Sequence, residues 1–443
     1  EQNYRSTGTI LAVANALIAN NEGRLGKNLW TDGQEGEPVQ LYTAFNEQDE
    51  ARFVGDRVRT WVDQGGRRDE IAVLYRSNAQ SRVFEERLIQ HGIPYRVYGG
   101  LRFFERAEIK DALAYLRIAS NRNDDASFER VVNHPPRGIG ERTLDVVRQT
   151  ARERGLSLWQ AAAAVVDERL VSARAVNALK VFLALVDELA DDIRPLSLGE
   201  QVEHVMHPSR LLDHFAKEKG EKGQARIENL RELVNAAREY EVDPDAELDP
   251  LSEFLSHAAL EAGEGQANAW DDCVQLMTLH SAKGLEFPLI FLCGMEEGLF
   301  PHQRSVEEQG RLEEERRLCY VGITRARQQV VLTCAERRRL YGSESYCLPS
   351  RFISEIPDEL IQDLRPRVSV SQPYMSTPTA NVYPDAAPSS LKLGQHVRHA
   401  KFGEGVVTSY EGQGSTARVQ VNFNRAGPKW LVVGYANLER ISV

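Results

Sequence analysis

The chain has 443 residues, 42% of them apolar and 27% charged, with a net charge of −11. That length fits roughly two to four domains, and the charge excludes a uniformly basic DNA-coating protein while leaving room for one basic groove. The five cysteines (Cys273, Cys293, Cys319, Cys334, Cys347) show no C-x-x-C spacing and no paired histidines, and no apolar run reaches membrane-span length. A disulfide framework, a zinc site and a membrane span are thereby excluded, and a soluble cytoplasmic protein is expected.

The chain opens on Glu1 and then Gln2-Asn3-Tyr4-Arg5-Ser6-Thr7, and no leader is expected. An arginine can grip a nucleotide's terminal phosphate, and a neighbouring tyrosine offers a ring on which a purine stacks. The same dipeptide is equally compatible with a plain surface. Residues 38–100 then alternate. Val39 to Phe45 is strand-like, Glu47 to Val62 helical, Ile71 to Tyr75 a strand, Ser77 to His91 a helix, and Tyr95 to Tyr98 a strand. Ser77 or Asn78 is placed to cap the helix, and backbone N–H groups there attract phosphate. Phe103 and Phe104 are expected to pack at a domain junction.

Residues 101–271 read as almost entirely helical, with amphipathic stretches at Glu108 to Ile118, Leu144 to Arg154 and Ala173 to Ala190. Between two of these helices, Pro136-Arg137-Gly138-Ile139-Gly140-Glu141-Arg142-Thr143 allows a tight turn whose amides could approach phosphate, or simply connects the helices. The acidic stretch Glu239 to Asp249, with Pro244, reads as an exposed loop. Strand and helix signals alternate again over 274–336, with strands at Val274 to Leu279, Leu289 to Cys293 and Gln329 to Thr333 and a helix near 309–327.

The predicted fold class is therefore α/β. A parallel-sheet domain (1–100 and 272–365) is interrupted by an all-helical insertion (101–271). A Pro/Ser/Thr/Ala-rich flexible linker (366–390) and a small β-barrel (391–443) follow. The last segment holds seven Lys/Arg against three Asp/Glu, a net of +4 that could serve nucleic acid. Phe402 and Trp430 could equally be its core.

Two later segments carry the most specific pattern. Leu276-Met277-Thr278-Leu279-His280-Ser281-Ala282-Lys283-Gly284-Leu285-Glu286-Phe287 places polar residues at the end of a strand, where α/β sheets meet ligands. Glu313-Glu314-Glu315-Arg316-Arg317-Leu318-Cys319-Tyr320-Val321-Gly322-Ile323-Thr324-Arg325-Ala326 reads as a helix followed by an arginine, with Glu313 and Arg317 spaced for an ion pair.

Together with Gln-Asn-Tyr-Arg-Ser, these segments in this order resemble the back half of the motif set of superfamily 1 DNA helicases of the UvrD/PcrA/Rep type. The resemblance covers essentially the whole chain outside the linker. It implies a RecA-like fold for the sheet domain, with Tyr4 stacking on adenine, Arg5 and Arg325 reaching the γ-phosphate, and Glu286 holding the ribose. It places His280, Ser77 and Asn78 on single-stranded DNA, and Gly138, Gly140 and Thr143 on the duplex. The tail resembles the Tudor-like module of the UvrD/PcrA branch through Gly394, Val397, His399, Lys401, Phe402, Gly403, Gly405, Lys429 and Trp430. That resemblance implies partner docking through Lys401, Lys429 and Trp430, RNA polymerase and repair proteins being such partners. The implied activity is ATP-driven 3′ to 5′ movement on single-stranded DNA with unwinding at single/double-strand junctions, in excision and mismatch repair.

One part of the motif set is missing. No stretch reads G-x-x-x-x-G-K-[ST], since Gly23 to Lys27 and Gly220 to Gly223 have the wrong spacing. Without that phosphate lysine and the acid that holds Mg²⁺, ATP hydrolysis lacks its main electrostatic support. The expectation is half of a motor, inactive until joined by an N-terminal half. A non-enzymatic DNA- and partner-binding fragment is the alternative. Helicase-nuclease relatives would need clustered carboxylates near the C-terminus, and the tail offers none.

Overall fold

The computed structural model describes residues 2–22, 28–218, 220–243, 248–263, 271–308, 310–340 and 343–365, then 396–399, 402–411, 418–423, 427–432 and 438–440. The expected linker and Lys401 lie outside the described residues. The chain begins with α1 (Gly8–Ile18), β1 (Val39–Ala44), α2 (Glu47–Asp63), β2 (Ile71–Tyr75), α3 (Ser81–Gln90) and β3 (Tyr95–Val97). It returns after a long helical excursion with β4 (Val274–Thr278), β5 (Phe287–Leu292), α13 (Gln303–Glu307), α14 (Arg311–Ile323) and β6 (Ala326–Ala335). A hairpin of β7 (Arg337–Leu340) and β8 (Ser343–Tyr346), then α15 (Arg351–Ser354) and β9 (Ile361–Asp363), complete this part.

These strands form a seven-stranded sheet in the order β3-β4-β2-β5-β6-β1-β9, apart from the separate hairpin. Every pairing in the seven-stranded sheet is parallel. Period-two alternation divides its side chains between two cores. Ala72 and Leu74 of β2 and Ile290 and Leu292 of β5 face the core shared with Ile10, Val13 and Leu17 of α1 and with Cys319 and Ile323 of α14. Ile71, Val73 and Tyr75, with Leu289 and Phe291, face Val54 and Val58 of α2 and Phe84 and Leu88 of α3. Strands covered on both faces read as continuous apolar runs, which is why β2 and β5 stand out in the sequence.

Helix α2 starts where the Asn46 side chain accepts from the Asp49 N–H, leaving acidic Glu47, Asp49 and Glu50 in the positive first turn. The helix expected from Ser77 instead begins at Ser81, after a short 3₁₀ turn at Asn78–Gln80. The cause is a side-chain cap running backwards. The Gln80 carboxamide oxygen accepts from the Arg76 and Ser77 N–H groups, at 3.0 and 2.9 Å. Glu50 and Glu296, both fully buried, hold Arg338 between them at 2.7 and 2.6 Å and so fix the start of the hairpin onto the sheet.

The helical excursion runs α4 (Ala107–Ser120), α5 (Asp125–Val131), α6 (Glu141–Arg154), α7 (Leu158–Asp167) and α8 (Ala173–Ile193), then α9 (Leu198–Met206), α10 (Leu211–Ala216), α11 (Glu221–Glu239) and α12 (Pro250–Gly263). Its core is its own: Tyr115, Phe128, Phe182, Leu230 and Phe254 belong to one buried cluster, which also takes in Phe103 and Phe104. Ion pairs tie it to the sheet domain. Arg82 of α3, 2% exposed, reaches Glu86 on its own helix and Glu232 and Glu239 of α11 at 2.6 to 2.9 Å.

The C-terminal unit is a five-stranded antiparallel sheet, ordered β13 (Gly427–Val432), β12 (Arg418–Phe423), β11 (Gly403–Glu411), β10 (His396–His399), β14 (Glu439–Arg440). Val397, Val407, Val419, Val421 and Phe423 fill its core. No helix among the described residues is long and apolar enough to cross a membrane.

Candidate functional site

In a parallel sheet all strand starts lie along one edge and all strand ends along the other, and the candidate residues divide between the two. At the starting edge, Ser6 Oγ donates to the Ala326 carbonyl at 2.6 Å, pinning the opening segment beside the first residue of β6. The Asn3 side chain accepts from the Arg5 and Ser6 N–H groups at 2.8 and 3.0 Å and turns the backbone so that Arg5 faces Glu286. Arg5 donates through Nε to Glu286 and through Nη1 to the Thr324 carbonyl at 3.3 Å. Arg327 donates to the same carboxylate, its Nε lying at 3.0 Å. Held by Arg327 and Arg5, the Glu286 carboxyl titrates below the usual glutamate range.

Arg325 stands between these groups with a different set of partners. It donates to the Val321 carbonyl at 3.1 Å, the Leu285 carbonyl at 3.3 Å and Thr324 Oγ1 at 3.3 Å. Among the described residues no carboxylate forms an ion pair with it. Burial and the nearby Arg5 charge lower its pKa, and it stays cationic throughout the physiological range. Tyr4 is 86% exposed, its hydroxyl donating to Gln2 Oε1 at 2.7 Å, and Gln2 Nε2 donates to Asp32 at 2.9 Å. Tyr4, Arg5, Thr31, Gln34, Glu286 and Arg327 line an open cleft of about 770 Å³. Its chemistry is one aromatic face, three guanidinium groups close by and one carboxylate: a wall suited to a base and a polyphosphate.

At the ending edge, β2 and β4 are neighbours with Tyr75 opposite Thr278, so Ser77 and Asn78 come to lie beside His280. Ser77 does not cap with its side chain, as its hydroxyl donates to Glu228 of α11 at 2.5 Å. Asn78 lies in the 3₁₀ turn, and its carbonyl accepts from Arg106 Nη1 at 3.0 Å. His280 is exposed, and desolvation by its surroundings together with the Arg76 charge lowers its pKa, keeping the ring neutral at pH 7.

The remaining candidates lie on other elements. Gly138 takes φ +81° with open space where a side chain would begin, and Gly140 is the exposed N-cap of α6. Thr143 is buried at 8% exposure, so its side chain packs beneath this turn. Lys429 is exposed on β13, and Trp430 pairs through its backbone with Gln420. The Glu313–Arg317 pair forms at 3.1 Å on the surface of α14. Sequence reasoning missed Arg327, Gln2 and Asp32. The Arg-x-Arg spacing at a strand start was the available signal for Arg327. Asp32 becomes visible only when the loop before β1 folds back on residue 2.

A doubly covered parallel sheet interrupted by a helical insertion, with a cationic cleft on one edge and polar loops on the other, defines a RecA-like α/β fold, and a small antiparallel β module follows it in sequence. Residues 1–337 match the UvrD-like helicase C-terminal domain, and residues 393–440 match the PcrA/UvrD tudor domain. The chain belongs to the UvrD-like helicase family and corresponds to its C-terminal portion. It is 60% identical to DNA helicase II of Escherichia coli over 446 aligned residues, covering 100% of this chain and 61% of that protein. It is 54% identical to DNA helicase II of Haemophilus influenzae, with the same two coverages. With the ATP-dependent DNA helicase PcrA of Bacillus subtilis the identity is 40%, covering 99% of this chain and 62% of the relative. The chain thus spans about three-fifths of the length of these curated relatives.

Proposed function

We infer that this chain is the C-terminal portion of an ATP-dependent DNA helicase that moves 3′ to 5′ along single-stranded DNA and opens duplex at single/double-strand junctions. The observation that carries this reading is the pairing of the two edges: a cleft walled by Tyr4, Arg5, Glu286 and Arg327 beside Arg325, and loops bearing Ser77, Asn78 and His280 opposite. The relatives' names, DNA helicase II and ATP-dependent DNA helicase, support it.

In this reading Tyr4 stacks on adenine, Glu286 turns to the ribose, and Arg5 and Arg325 stabilise the charge that develops on the γ-phosphate. A guanidinium held by two carbonyls and a hydroxyl needs no ion pair broken before it acts, which suits Arg325 to an arginine-finger role. Mg²⁺, when bound, would supply charge neutralisation to the phosphates. Glu286 is already engaged by two arginines and is poorly suited to hold it. The phosphate loop and the Mg²⁺ ligands are assigned to the remaining two-fifths of the relatives' length, so this chain alone is expected to be inactive. Gly138 and Gly140 lie in the turn assigned to duplex contact, and Thr143, assigned to the same contact, is buried in the first turn of α6. Lys401, Lys429 and Trp430 are assigned to partner docking, with RNA polymerase and proteins of excision and mismatch repair as partners.

The test is unwinding of a duplex carrying a 3′ single-stranded tail by the protein completed with the N-terminal motor half. ATP-dependent unwinding with that polarity is expected. DNA binding without unwinding or ATP turnover would favour the binding-fragment reading instead.

A further inference from the structure

The two edges are joined by one helix. α14 starts near the ending edge and delivers Thr324 and Arg325 to the starting edge, and the eight helical steps from Glu315 to its last residue, Ile323, span about 12 Å. Glu315 is 5% exposed, and its carboxylate is fully occupied. Arg76 engages both oxygens, with Nη2 at 2.9 Å and Nε at 3.1 and 3.0 Å. The His302 N–H at 3.2 Å and the Ser305 hydroxyl at 3.1 Å complete the set. Arg76 follows the last residue of β2 and precedes Ser77. Its side chain is 14% exposed and turned inward, with Glu221 a more distant partner at 3.9 Å. The sequence shows Arg76 only as one more basic residue in a loop suited to phosphate; the fold commits it to α14.

We propose that Arg76 and Glu315 are a positioning pair that ties the Ser77–Asn78 loop to α14 and thereby to Arg325, so that DNA seated on that loop sets where the arginine points. A forked guanidinium–carboxylate contact in a dry setting fixes both distance and angle, which a single surface ion pair does not. A helix whose apolar residues are packed into a core shifts as a unit rather than bending. Movement of the loop is therefore carried to the far end of α14. The proposal rests on the functional reading above, because it needs DNA on one edge and nucleotide on the other.

The experiment uses the completed protein and measures ATP turnover with and without a single-stranded oligonucleotide, the dissociation constant for that oligonucleotide, and the melting temperature. The variants are Glu315→Gln, which keeps the shape and loses the charge, and Arg76→Lys, which keeps the charge and loses the fork. Each is expected to keep DNA-free turnover and DNA affinity within about twofold while the DNA stimulation falls about tenfold, a typical coupling loss. The double variant is expected to lose no more than the worse single one, because one contact is being removed. Stimulation that survives in folded variants, stimulation that falls only in step with DNA affinity, or additive losses would overturn the proposal. Absence of DNA stimulation in the unaltered protein would overturn the functional reading itself, and this proposal with it.

Discussion

Arg5 donates through Nε to Glu286, a carboxylate 281 residues further along the chain. The contact brings together the opening segment and the connection between β4 and β5, two pieces separated by the whole helical insertion. Arg327 holds the other oxygen of the same carboxylate, so Arg5 can leave it for a phosphate without stranding Glu286 unpaired.

Arg325→Ala removes the one guanidinium in this cluster with no ion-pair partner among the described residues. In the completed protein, DNA-stimulated turnover is expected to fall on the order of 10³-fold, the scale of a lost arginine finger, with KM for ATP nearly unchanged. The melting temperature should move little, because the side chain bonds only to Val321, Leu285 and Thr324. Steady-state kinetics beside a thermal melt checks both halves.

Tyr4→Ala is expected to raise KM for ATP about tenfold, the value of a lost stacking face, with kcat retained. Tyr4→Phe should behave as the unaltered protein, since the hydroxyl reaches only Gln2. Equal loss in both variants, read from ATP titrations, would contradict the stacking role.

The two edges should respond differently to acid. Glu286 is held below its ordinary value of 4.5, so its pairing with Arg327 and Arg5 persists at neutral pH and is lost only as pH falls through that lowered value. KM for ATP should therefore carry no inflection from Glu286 between pH 5 and 8. His280 is held below 6.5 and is neutral at pH 7. DNA affinity should be flat above that value and tighten below it as the ring gains charge beside a phosphate. His280→Gln should abolish the acid-side gain in a fluorescence-anisotropy titration while leaving affinity at pH 7.5 in place.

Arg338→Met leaves Glu50 and Glu296 buried without their cation. A loss of about 3–5 kcal/mol in unfolding free energy is expected, measured by urea denaturation. Replacing all three by apolar residues of similar volume should recover most of it.

How much of this was legible in the sequence follows from how local each signal is. β2 and β5 are apolar runs bounded by polar turns, and α6 and α8 carry clear helical periodicity, so these appeared from pattern alone. α1 did not, because six of its eleven residues are buried and the small, apolar segment has no polar stripe to mark its period. The β7–β8 hairpin is short and charged. Its anchor, Arg338 between Glu50 and Glu296, joins residues some 290 positions apart and has no local signature. At the site, Tyr4, Arg5, Glu286 and Arg325 were found through motifs. Arg327 and the inward turn of Arg76 were not, since both depend on which side of the sheet a neighbouring carboxylate occupies.

The most direct measurement is ATP turnover by this chain, the N-terminal motor half and their mixture, each with and without single-stranded DNA and each repeated with Arg325→Ala. Turnover is expected only in the mixture, stimulated by DNA and abolished by the substitution. Turnover by this chain alone that survives Arg325→Ala would place a complete phosphate site elsewhere and contradict the reading of the cleft as one wall of a shared one.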